Sequence, residues 1–114
     1  MNLKKSQPLT CEDAVTCIFN LNNLDILVLN KLRELGPVRT DEIALSLNKE
    51  RSTVYRSLQK LKNCGICIKK TKTIPKGGYY HVYECCNMKI LKKEAERCLD
   101  EWYISLKKTL KDLS

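Results

Sequence analysis

The chain has 114 residues, enough for one domain with a helical appendage but too short for two independent cores. With 43% hydrophobic and 30% charged residues it can bury a core, which excludes both wholesale disorder and an integral membrane protein. Its 21 basic and 13 acidic side chains leave a net charge of +8, and an imbalance of that size calls for an anionic partner.

Residues 1–20 form an N-terminal extension. The start carries charges without a following apolar run, so it does not read as a secretory signal. The early apolar run 26–29 is far short of a bilayer span, so the expected location is cytoplasmic with no membrane partner. Thr10, Glu12 and Asp13 suit the cap and first turn of a short helix ending near Phe19. A stronger helix follows, with Asn23 as the predicted N-cap and Leu24, Leu27, Val28, Leu32 and Leu35 at helical spacing. Gly36 and Pro37 close it. Thr40, Asp41 and Glu42 then open a short helix with Ile43, Ala44 and Leu47 inward, and Asn48 supplies a left-handed exit. A third helix is predicted over about 51–62, with Val54, Leu58 and Leu61 on one face. Its start is open by a residue or two, because Glu50 is a poor N-cap and Ser52 a better one.

After Gly65 the period changes. Residues 66–73 and 79–83 are rich in β-branched and aromatic side chains and flank Pro75, Lys76, Gly77 and Gly78, the signature of a β-hairpin. Asn87 can cap a last helix to the C-terminus, along which Met88, Leu91, Ala95, Leu99, Trp102, Leu106, Leu110 and Leu113 advance three or four residues at a time.

Three helices followed by a hairpin predict an α+β, mainly α fold: a winged helix-turn-helix over 21–86, with residues 87–114 as a long dimerisation helix. Charge patterning agrees, because residues 48–83 carry nine basic side chains and one acid, whereas the segments on either side are nearly neutral. A major-groove reader helix needs one apolar face to anchor it and one polar face to read. With Val54, Leu58 and Leu61 inward, the expected DNA-facing set is Arg51, Ser52, Thr53, Tyr55, Arg56, Gln59 and Lys60, helped by Thr40. Arg and Gln match guanine and adenine edges, while hydroxyls and Lys suit phosphates. On the wing (66–85), Lys70 and Lys72 share a face, and Lys76 at the tip would meet the backbone or minor groove.

The runs Leu24–Leu29, Leu35–Pro37, Thr40–Ala44, Arg51–Leu58 and Leu61–Gly65 resemble the TrmB-like and MarR-like winged-helix transcriptional regulators of archaea. That resemblance implies a homodimer on a palindromic double-stranded operator, and it implies no sugar effector for a chain of this size. Leu91, Ala95, Leu99, Trp102, Leu106 and Leu110 would form the dimer seam, with Trp102 an anchor rather than part of a ligand box.

Seven cysteines (11, 17, 64, 67, 85, 86 and 98) remain to be placed. The hairpin brings Cys67 opposite Cys85 or Cys86, and Cys64 is three residues away from Cys67. Three readings stand: buried small hydrophobes, a redox switch using Cys64, Cys67, Cys85 and Cys86, or a metal site. The metal reading suffers because adjacent strand residues point to opposite faces, so no cofactor or metal is expected. His81, the sole histidine, lacks the partners of a nucleophilic site, and no enzyme is expected. The rival to a DNA-binding regulator is a winged-helix protein-interaction module within a transcription or other complex; such a module has no need of nine cations at 48–83.

Overall fold

A computed structural model describes residues 11–113. The elements in chain order are helices α1 (Cys11–Phe19), α2 (Asn23–Leu35), α3 (Thr40–Leu47) and α4 (Arg51–Asn63), strands β1 (Cys67–Thr73) and β2 (Tyr79–Cys85), and helix α5 (Met88–Asp112). They divide into two compact units. One holds α2–α4 and the hairpin; the other holds α1 and α5. Thr10, the expected cap of α1, lies outside the described residues.

In the first unit, α2 is capped one residue earlier than expected. The Asn22 side chain accepts from the Asp25 N–H at 2.9 Å, and the Asp25 carboxylate accepts from the Asn22 N–H at 3.0 Å. This reciprocal pair satisfies two donors that a helix start leaves open. The buried face of α2 is Asp25, Val28, Leu29 and Leu32, and Leu27 and Leu35 are exposed. The apolar stripe expected from leucine spacing is therefore out of phase, because one buried position is a carboxylate. Gly36 ends α2 at φ 73, a conformation open to Gly at little cost.

Helix α3 starts at Thr40 with Arg39 as its N-cap, and the Glu42 carboxylate accepts the Arg39 N–H at 3.0 Å. Thr40 is thus the first helical residue and not the cap. Asn48 leaves the helix at φ 55, ψ 47, as its side chain tolerates. Helix α4 begins at Arg51 with Glu50 at the N-cap and no side-chain cap bond, so Ser52 lies inside the first turn and does not cap it. Val54, Leu58 and Leu61 are completely buried, and together with Val28, Leu32 and Ile43 they form the centre of the core.

The hairpin pairs Cys67 with Cys85, Lys70 with Val82 and Lys72 with Tyr80 in an antiparallel register. Tyr83 also exchanges two backbone hydrogen bonds with Val38, at 3.0 and 2.8 Å, so the segment between α2 and α3 adds a one-residue third strand and fixes β2 to the helices.

In the second unit, α1 packs against α5, and Cys11 is joined to Cys98 by a disulfide. None of the three readings of the cysteines foresaw this pair: the two sulfurs lie 87 positions apart in the chain and meet only because the helices pack. A loop of that length, closed by a crosslink, constrains the unfolded chain by on the order of 4–5 kcal/mol. Cys98 is buried and Leu91 and Ala95 are half-buried, but Leu99, Trp102, Leu106 and Leu110 remain exposed. Helix α1, with nine residues, is about 13 Å long, and α5, with 25, is about 37 Å, so α1 covers only part of the stripe.

Candidate nucleic-acid interface

The interface is built on the free side of α4. Its inner side is fixed by the core, which leaves Arg51, Ser52, Tyr55 and Arg56 exposed and Thr53 half-buried. Arg51 is steered from the neighbouring helix, where Asp41 accepts its Nε–H at 2.6 Å; both side chains are exposed, so this pair orients more than it stabilises. Arg56 is exposed on the same side.

Three of the expected contact residues are placed differently. Thr40 is buried at the start of α3. Gln59 is half-buried and donates from Nε2 to the Tyr83 hydroxyl at 3.1 Å, tying α4 to β2. Lys60 is half-buried and paired within the chain: its ammonium sits 2.6 Å from the Asp25 carboxylate, which is only 2% exposed. Helical spacing put Lys60 at the edge of the polar face, and a buried acid on α2 pulls it over that edge.

Asp25 also accepts the Ser57 hydroxyl at 2.6 Å. Burial works to raise the Asp25 carboxyl, but the hydrogen bonds from Lys60, Ser57 and the Asn22 backbone, with the charge of Lys60, outweigh it and hold its pKa below the ordinary 3.8. The carboxylate is therefore ionised at neutral pH and fully bonded.

On the wing, Lys70 and Lys72 do share a face. Lys70 is paired with Glu84 at 3.0 Å, whereas Lys72 and the tip residue Lys76 are exposed. Between the first turns of α3 and α4 and strand β2 lies an open cleft of about 220 Å³, lined in part by Arg39, Arg51, Tyr55, Tyr79, Tyr80 and His81. The Arg39 guanidinium lies 5.1 Å above the Tyr80 ring, a cation–π contact that holds the cation flat against the wing. His81 Nδ1 is 3.1 Å from the Thr71 hydroxyl. Sequence reasoning passed over Arg39 and Tyr80; the available signal was a basic residue directly before a helix start, with aromatics alternating on the facing strand.

The base of the wing holds three free thiols, Cys67, Cys85 and Cys86. Cys64, at the C-cap of α4, is not one of them. Burial and then its two neighbours Cys85 and Cys86 push the Cys67 thiol up to about 12, and burial raises the other two as well. A thiol raised in this way stays protonated at neutral pH, so these three are poor nucleophiles; Cys64, the fourth cysteine of the expected redox set, is disulfide-bonded. Cys67 instead donates weakly to the Leu58 carbonyl at 3.6 Å and helps pack β1 on α4. Among the described residues no group of three or more His, Cys, Asp or Glu side chains is placed to hold a metal ion.

The family description "Sugar-specific transcriptional regulator TrmB" matches residues 16–89, most of the chain and all of this interface. The chain belongs to the TrmB family. Its TrmB region is a winged helix in a family of transcriptional regulators. The uncharacterized protein MJ1503 of Methanocaldococcus jannaschii is 34% identical over 104 residues, covering 91% of this chain and 79% of that protein. A possible transcriptional regulator from Methanosarcina mazei superposes with a TM-score of 0.73 at 25% identity, covering 93% of this chain and 90% of the other. The structure of MarR shares the fold at a TM-score of 0.51 and 18% identity, over 84% of this chain and 72% of MarR. No helix among the described residues is long and apolar enough to cross a membrane.

Proposed function

We propose that the chain is a sequence-specific double-stranded DNA-binding transcriptional regulator that acts in the cytoplasm as a homodimer. Helix α4 enters the major groove and the wing lies on the backbone or minor groove. The observation that carries this reading is the two-faced character of α4: Val54, Leu58 and Leu61 are fully buried, while Arg51, Ser52, Tyr55 and Arg56 are exposed on the opposite side. An interaction module has no need of such a cationic, hydrogen-bonding face beside Lys72 and Lys76. Arg56 reads a base edge; Ser52, Tyr55, Lys72 and Lys76 bind phosphates and set register.

Dimerisation is supported by the apolar stripe of α5 that α1 leaves uncovered, in which Leu99, Trp102, Leu106 and Leu110 are 41–58% exposed. A second copy related by a two-fold axis buries it and presents two reader helices to a palindrome.

The test is selection of bound duplexes from a random pool with the full chain. A two-fold symmetric consensus is expected. Recovery of no enriched sequence would overturn the reading, and an asymmetric half-site alone would remove the dimer from it.

A further inference from the structure

The cluster Asp25–Ser57–Lys60 lies outside the DNA-facing surface, yet it joins the start of α2 to the middle of α4. One carboxylate serves both ends. Its Oδ2 accepts the Asn22 N–H at 3.0 Å and the Lys60 ammonium at 2.6 Å, and its Oδ1 accepts the Ser57 hydroxyl at 2.6 Å. Ser57 and Lys60 are three apart on α4, so they project from one side of the helix and are gripped together. Asp25 is 2% and Ser57 4% exposed, so water is kept from the carboxylate and the hydroxyl, while Lys60 closes the cluster from a half-buried position.

Interdigitated apolar side chains already resist a roll of the helix, but ridge-into-groove packing leaves helix geometry a scatter of about 15–20°. Hydrogen bonds are directional and weaken steeply with misalignment. A roll of roughly 20° about the axis of a helix of about 5–6 Å radius moves the side-chain ends by about 2 Å. That is enough to take Arg56, the neighbour of Ser57, out of hydrogen-bond range of a base edge. Gln59, held by the Tyr83 hydroxyl at 3.1 Å, braces the same stretch of helix from the wing.

We infer that Asp25, Ser57 and Lys60 are positioning residues that set the roll of α4, so that sequence discrimination depends on a lysine that does not touch DNA. The inference rests on the DNA-binding reading above. Lys60 is the sharp point of it: a cation on a reader helix that neutralises a buried acid of its own chain contributes nothing to counterion release.

The experiment uses the full-length chain, the duplex enriched by the wild type and a scrambled duplex of equal length. Affinities are measured over a range of salt concentrations. Lys60→Met is expected to weaken the enriched duplex about tenfold, leave the scrambled duplex within about twofold, and leave the salt slope unchanged. Lys60→Arg, which keeps a cation within reach of Asp25, should restore most of the discrimination. Asp25→Asn should behave like Lys60→Met, and if it fails to fold, Ser57→Ala takes its place. Equal losses on both duplexes with a slope reduced by about one would make Lys60 a phosphate contact and overturn the inference. Unchanged discrimination in Lys60→Met would overturn it too. Failure of the DNA reading itself is distinguishable, since the wild type would then enrich no duplex before any variant is made.

Discussion

At the scale of single residues, the proposed function gives two cations different roles. Arg56 is exposed on α4, where the proposed reading sets it against a base edge, and Lys76 is exposed at the turn of the wing, where that reading sets it against backbone phosphates. Arg56→Ala should therefore cost about 1–3 kcal/mol at one operator position and relax choice there, whereas Lys76→Ala should weaken all duplexes alike and lower the salt slope by about one. Competition gel shifts against single-base operator variants check both, and uniform losses for both substitutions would mean that the reading face is misplaced. Asp25 gives a prediction of a different kind. Its carboxyl is held below 3.8, so its stabilisation is complete above that pH and is lost as pH falls through the folded-state value. Urea unfolding should show Asp25→Asn less stable than the wild type at pH 7, with the gap narrowing below pH 3.8; a gap independent of pH would show that the charge of Asp25 does not stabilise the fold.

At the scale of elements, local patterns placed the helices well where the buried positions are apolar. On α4 the spacing of Val54, Leu58 and Leu61 is the buried face, and all three are completely covered. On α2 the same reasoning slipped, because Asp25 occupies an inward position and leucines at 27 and 35 are left outside. A buried carboxylate is invisible to hydrophobic periodicity; only its partners on another helix explain it. The hairpin register was legible from its turn, and Cys67 does face Cys85. What the register does not convey is the environment of those thiols. With burial pushing Cys67 up to about 12 against an ordinary 9.0, far less thiolate is present at neutral pH than for an unperturbed thiol. Iodoacetamide at pH 7.5 should accordingly label Cys67 much more slowly than a cysteine in the urea-unfolded chain. Labelling at equal rates would restore the thiol switch as a reading of the wing base.

For the whole molecule, the open question is association. The exposed half of the α5 stripe carries Trp102 and Leu106 toward solvent, an apolar surface that a lone helix seldom leaves bare. Trp102→Glu combined with Leu106→Glu should convert a dimer into a monomer in sedimentation velocity while leaving far-UV circular dichroism unchanged. Affinity for the selected duplex should fall at least tenfold, since a monomer holds one half-site. Wild-type sedimentation as a monomer at micromolar concentration would remove the dimer from the proposed function. The disulfide between Cys11 and Cys98 belongs to this scale as well: its two cysteines sit on separate helices, and nothing local pairs them.

Winged-helix architecture, the reader helix and the basic segment 48–83 were written into the sequence, because each depends on spacing along a few turns of chain. Tertiary packing decided the rest. It turned Lys60 inward onto a buried acid, buried Thr40, tied Gln59 to Tyr83, brought Arg39 over Tyr80 and joined two cysteines 87 positions apart. Which way a polar side chain turns at the edge of a helix face depends on partners from other elements, and one dimension of sequence carries no record of who those partners are.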